Sequence, residues 1–232
     1  MDFISKKFAE IIAGNIVFSE NVGESLKKWR STFGISQKEL ADRINVSPSV
    51  ISDYESNRRK SPGINFIKKY VGSLIEIDRD RGWKTLRKYK DLISVDFDVI
   101  YDICEYSKPI KSENIADAIE GELVTNFGRE AMGHTVIDSI KAILEMSSYD
   151  FYKIYGLTSE RALIFTKVSS GRSPMVAVRV ANLKPSVVVL NPLKKENLDS
   201  LALKIAEIER IDLILTEMSV DDIVKNLKKL EV

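Results

Sequence analysis

The sequence predicts an α+β chain of several domains: an all-α helix-turn-helix domain first, then a helical connector, then a C-terminal α/β domain. Three observations lead there. Charge divides along the chain: residues 1–90 carry 18 Lys and Arg against 11 Asp and Glu, residues 91–131 carry 3 against 10, and residues 132–232 carry 14 against 13. Cap and turn residues punctuate two short amphipathic segments between residues 36 and 56. Beyond residue 130, apolar β-rich runs alternate with helical ones, as they do where helices cross over a sheet. The predicted division is 1–90, 91–129 and 130–232.

The chain's 232 residues, 44% apolar and 30% charged, suffice for more than one globular core and are too apolar for a disordered chain. No apolar run approaches the roughly 20 residues of a membrane helix. The opening "MDFISKKFAEIIAG" interrupts its apolar residues with Lys6, Lys7 and Glu10, which makes it an amphipathic helix and not a signal peptide. One cysteine, Cys104, and one histidine, His134, leave no material for disulfides, the usual zinc sets or Cys–His catalysis. A cytoplasmic protein with no cofactor, metal or catalytic residue is expected. Gln37 is the sole glutamine in a chain rich in Ile, Lys and Glu, a composition that points to a thermophilic source.

The elements follow in order. Leu26, Trp29, Arg30 and Phe33 form a helical stripe, and Gly34 ends it. Ser36 to Glu39 is a capping box that starts a second helix burying Leu40, Ala41 and Ile44. Asn45 tolerates the left-handed conformation of the turn that follows. Ser47 caps a third helix, with Pro48 at its first position, where a missing N–H costs nothing. That helix buries Ile51 and Tyr54. Two short helices across a tight turn make a helix-turn-helix.

With Ile51 and Tyr54 turned inward, Pro48, Ser49, Ser52 and Asp53 point outward, and Val50 lies at the margin. Small side chains let a helix enter a major groove, where hydroxyls meet base edges and a valine methyl meets thymine. Arg58, Arg59 and Lys60 follow at the helix end, placed to grip phosphates. The N-terminal net charge of +7 suits a polyanionic partner.

The stretch "LKKWRSTFGISQKELADRINVSPSVISDYESNRRKSPG" resembles the phage-repressor and Cro, or XRE-type, helix-turn-helix. Its portion "SPSVISDYESNRRKSPG" resembles archaeal transcriptional regulators that join this domain to a longer C-terminal region. The resemblance covers roughly residues 22–80. It implies a phosphate contact at Gln37 and an ion pair between Arg30 and Glu55 that ties the first helix to the end of the recognition helix. It also places Lys38, Ser47 and Asn57 in the double-stranded DNA interface. Many relatives read bases with Gln, Asn or Arg, whereas this helix offers Ser49, Val50, Ser52 and Asp53. Sequence readout is therefore expected to lean on DNA shape or on a second protomer.

Past residue 90 the chain turns acidic, with −7 over residues 91–131, which argues against phosphate contact. Phe97, Ile100, Tyr101, Ile103 and Cys104 suggest one helix before Pro109, and Ile115, Ala118 and Ile119 a second, so 91–129 is assigned as an acidic helical connector. "REAMGHTVIDSIKAILEMS" has the pattern of a long helix carrying His134. "RALIFTKVS", "MVAVRVA" and "SVVVLN" suggest strands, "LDSLALKIAEIER" a helix, "IDLILT" a strand, and "SVDDIVKNLKKL" a last helix capped by Ser219. A strand–helix–strand–helix ending implies a parallel pair. Arg172 and Ser173 in the "GRSP" turn, with Asn191 and Thr216 at strand ends, form a candidate site for a small-molecule or anionic effector.

The expected function is a sequence-specific DNA-binding transcriptional regulator that acts as a homodimer. The alternatives are a coactivator that binds general transcription factors through the helical domain, and an anion-binding enzyme that regulates its own gene.

Overall fold

Phe8, Ile12 and Ile16 recur at helical spacing and are all buried, so the first segment forms a helix, α1 (Phe3–Val17), with one apolar stripe. The computed structural model describes residues 3–89, 99–147 and 150–231, and contacts divide the chain into two units after Ser94.

In the first unit, α1 is followed by α2 (Val22–Thr32), α3 (Gln37–Ile44), α4 (Pro48–Glu55), α5 (Ile64–Asp80) and the short α6 (Leu86–Tyr89). Asn21 accepts from the Glu24 amide and starts α2. Ser36 accepts from the Glu39 amide at 3.1 Å and starts α3. The reciprocal half of the expected capping box is replaced, because the Glu39 carboxylate takes Arg81 instead, at 2.7 and 2.8 Å. Asn45 ends α3 at φ 58°, the left-handed geometry that the tight turn requires. Pro48 opens α4, but the Ser47 hydroxyl makes no cap bond and lies 2.7 Å from Ser49 Oγ. Leu26, Leu40, Ile51, Tyr70 and Leu74 meet in one core, to which each large aliphatic side chain contributes about 1.5–3 kcal/mol by burial.

The second unit is a six-stranded mixed sheet. In chain order its elements are β1 (Ile100–Lys111), α7 (Ser112–Ala118), β2 (Glu122–Thr125), β3 (Glu130–Asp138), α8 (Ser139–Glu145), β4 (Ala162–Thr166), α9 (Arg172–Val180), β5 (Val187–Leu190), α10 (Ser200–Glu209), β6 (Asp212–Leu215) and α11 (Val220–Leu227). Strand order is β1-β3-β4-β5-β6-β2. The central four run parallel, and β1 and β2 close the two edges antiparallel. Val187 to Leu190 are buried without a break, as expected of a parallel strand covered on both faces. Ile164, Val189 and Ile214 share one face with Ile115 of α7 and Ile223 of α11.

Four expectations are corrected here. Residues 100–111 form a strand and not a helix, so the separate helical connector is replaced by an edge strand, α7 and β2 of the second unit; Phe97 lies outside the described residues. The long helix expected from residue 130 is a strand, β3, followed by seven helical residues, and His134 sits on that strand. The run 175–181, expected as a strand, belongs to α9: Gly171 enters at φ 79°, and Met175 and Val178 are buried at helical spacing. The GRSP segment is therefore the start of a helix and not a free turn. The parallel pairing of β5 with β6 across α10 agrees with expectation.

Candidate nucleic-acid interface

Glu55, the last residue of α4, is the centre around which this face is built. Its carboxylate is buried, at 4% exposure, and accepts from Arg30 Nε at 2.6 Å and from Arg30 Nη2 at 2.7 Å. That two-point geometry is the strong form of a guanidinium–carboxylate pair. Arg30 also donates to the Ile35 carbonyl at 2.7 Å. Gln37 Nε2 donates to Glu55 at 2.8 Å, and the Tyr70 hydroxyl lies 2.8 Å from the carboxylate and 3.0 Å from the Leu26 carbonyl. Burial pushes the Glu55 carboxyl up, but the bonds from Arg30, Gln37 and Tyr70 outweigh it and hold the group below the usual glutamate value. Burial, with the adjacent Glu55 charge, pushes the Tyr70 hydroxyl up, so it stays protonated. One buried anion thus joins α2, α3, α4 and α5.

The outward side of α4 carries the residues expected there. Ser47, Pro48 and Ser49 are exposed, and Val50, Ser52 and Asp53 are half-buried. Lys38 is exposed at the start of α3. Arg58, Arg59 and Lys60 are exposed just past the helix, but the two arginines turn back: Arg58 Nε donates to Asp53 at 2.8 Å, and Arg59 Nε lies 3.8 Å from the same carboxylate. Arg58 also reaches Ser52 Oγ at 3.2 Å, and the Arg59 guanidinium stands over the Tyr54 ring. Asn57, at φ 57°, is committed to the scaffold: its amide donates to Asn21 at 2.6 Å, and its carbonyl accepts from Gly23 N at 3.0 Å. A methyl group at Gly23 would meet the Tyr54 carbonyl at 2.4 Å, so only glycine admits this approach.

Tyr70, Asn21 and Gly23 escaped sequence reasoning. Tyr70 lies on an ordinary apolar stripe, and only the fold brings its hydroxyl to Glu55.

In the second unit the four residues expected to hold an effector are not presented as one open site. Asn191 and Thr216 are buried and meet each other: Asn191 donates to the Thr216 and Met218 carbonyls, and Thr216 donates to Ile119. Arg172 is exposed and donates to Asp199 at 2.9 Å, and Ser173 borders an apolar cleft beside Phe165 and Ala177. His134 is buried between Tyr106 and Asp102, 2.9 Å from each, and Lys228 lies 2.9 Å from the other oxygen of Asp102. Burial outweighs the Asp102 charge and holds the imidazole below its usual value.

A recognition helix braced from behind by a buried acid, with a basic exit, defines an XRE-type helix-turn-helix protein. The helix-turn-helix family model matches residues 26–74, which span α2 to α5. The chain is 56% identical to an uncharacterized HTH-type transcriptional regulator of Archaeoglobus fulgidus over 97% of both chains. It is 53% identical to another, MJ1545 of Methanocaldococcus jannaschii, over 97% of this chain and 95% of that one. A shorter likeness, 50% over 38 residues, links 16% of this chain to 25% of multiprotein-bridging factor 1 of Eremothecium gossypii. The chain belongs to the family of archaeal HTH-type transcriptional regulators defined by its full-length relatives.

Proposed function

We infer that the protein is a sequence-specific DNA-binding regulator that acts as a homodimer, with α4 in the major groove. The observation that carries this reading is the small-residue face of α4, held by the Glu55 hub and followed directly by Arg58, Arg59 and Lys60. Ser49, Val50, Ser52 and Asp53 meet base edges. Gln37, Lys38, Ser47 and the basic exit meet phosphates. Asn57 serves indirectly, by fixing the chain between Asn21 and Gly23.

Dimerisation is assigned to the second unit. Its helices α8 and α9 expose Ile143, Leu144 and Val180, each at 67% or more, an apolar surface suited to a second copy. An anionic effector would enter at Arg172 by displacing Asp199. No helix among the described residues is long and apolar enough to cross a membrane. Membership of a regulator family favours this role over an enzymatic one.

Selection of binding sites from random DNA, followed by titration at several salt concentrations, tests the reading. Enrichment of a two-fold symmetric sequence is expected. The short likeness to a multiprotein-bridging factor favours a second reading, a coactivator that binds general transcription factors. Binding to such a factor with no enriched DNA sequence would establish that one instead.

A further inference from the structure

Arg58 and Arg59, the two guanidinium groups best placed to grip a DNA backbone, are exposed, yet neither stands free of an acid. Both turn onto Asp53, an acid on the groove-facing side of α4, at 2.8 and 3.8 Å. Ser52 Oγ takes a further Arg58 N–H at 3.2 Å. The Asp53 side chain keeps 29% exposure, so a ligand can reach it. An acid at this position is costly on two counts. It repels phosphates, and in the last turn of α4 it meets the negative end of the helix dipole, which costs helix stability.

We propose that Asp53 is a specificity gate: it holds Arg58 and Arg59 off the phosphates until a cytosine amino group in the groove takes their place. The chemistry selects that base. A carboxylate only accepts hydrogen bonds, and cytosine N4 presents a donor in the major groove, whereas guanine presents two acceptors. On non-cognate DNA the carboxylate finds no donor, the clasp stays closed, and Lys60 and Lys38 carry the contact. On a cognate site the carboxylate turns to the base and both arginines turn to phosphates, so base recognition and backbone grip strengthen together. Adenine N6 is also a donor, but the neighbouring N7 acceptor would face the carboxylate.

The gate rests on the DNA-binding reading above, and its test separates the two. Full-length wild type, Asp53→Asn, and Asp53→Asn with Arg58→Gln and Arg59→Gln are titrated against random duplex and against a duplex selected by the wild type, over a range of salt. Asparagine keeps the shape and removes the charge. For Asp53→Asn, affinity for random duplex should rise about tenfold or more near 0.1 M salt, with a salt slope steeper by up to about two, at roughly 0.9 per freed cation. The triple variant should return both quantities to the wild-type level or below, a reversal that a mere change in helix stability would not produce. Sites selected by Asp53→Asn should also lose a cytosine preference at one position per half-site. Random-duplex affinity and slope left unchanged in Asp53→Asn would overturn the gate, as would an unaltered base preference. If the wild type selects no DNA at all, the DNA-binding reading itself fails.

Discussion

Gln37 Nε2 lies 2.8 Å from the Glu55 carboxylate, so the residue assigned to a phosphate at the start of α3 is oriented by the acid that ends α4. Scaffold and contact surface are therefore linked through one hydrogen bond. Replacing Gln37 with Ala should cost about 1 kcal/mol of stability and weaken binding to all DNA sequences alike. A loss of stability with unaltered DNA affinity would confine Gln37 to the scaffold.

Glu55→Ala should be far more damaging. It leaves the largely buried Arg30 guanidinium without its counter-ion, while the Tyr70 hydroxyl keeps only the Leu26 carbonyl, at a cost on the order of 3 kcal/mol. For a unit of this size that corresponds to a fall in melting temperature of roughly 10–20 °C. Trp29 and Trp83, the chain's two tryptophans, both lie in the first unit, so their fluorescence follows its melting selectively. A wild-type melting temperature in this variant would mean that the buried pair is dispensable.

Replacement of Arg58, Arg59 and Lys60 together by Ala should flatten the salt dependence on a selected site by about three units if all three meet phosphate. An unchanged slope removes the basic exit from the interface.

Acid should weaken the two units in different pH ranges. The His134 imidazole is held below its ordinary value in the folded chain, chiefly by burial against the pull of Asp102, while Arg161 and Lys228 act in the same direction as burial. A depressed pKa gives stability that is complete above the unfolded value, about 6.5, and is lost as pH falls below it. Glu55 is depressed as well, so the first unit keeps its share down to about pH 4.3 and loses it below. Calorimetry should show the second unit weakening first on acidification, while tryptophan melting of the first unit holds steady. Loss of both together would show that His134 does not govern the second unit.

Truncation after Ser94 should leave a folded first unit, because the core of Leu26, Leu40, Ile51, Tyr70 and Leu74 is internal to it. That fragment should sediment as a monomer and bind a palindromic site some 10²- to 10⁴-fold more weakly than the full chain, since two linked half-site contacts are lost. Equal affinity of fragment and full chain would take dimerisation away from the second unit.

The first unit was far more legible in the sequence than the second, and the reasons are physical. The signals at Ser36, Asn45 and Pro48 act through bonds and dihedrals within a few residues, so they hold wherever the segment folds. The Arg30–Glu55 pair followed from the resemblance, because nothing local joins two residues on different helices. The strands β1 and β3 went unseen. Ile100, Ile103 and Cys104 have spacing that fits a helix as well as a strand, and β3 is buried on both faces, which erases the alternation that marks a half-exposed strand. In α9 the opposite happened: alternating valines suggest a strand, yet Met175 and Val178 find their burial one helical turn apart. The Asp53 clasp was invisible because its partners were each assigned separately to DNA.

The edge pairing of β2 with β6 carries a consequence for the timing of synthesis. Glu122 lies opposite Leu215, and Leu123 opposite Ile214, so the sheet cannot close until the chain through Leu215 has left the ribosome. The helices of the first unit need only their near neighbours and fold early, in the order in which they emerge. A nascent chain therefore holds a finished helix-turn-helix unit well before it has a finished sheet. Ribosome-stalled chains ending near residue 130 are the species in which that interval can be caught.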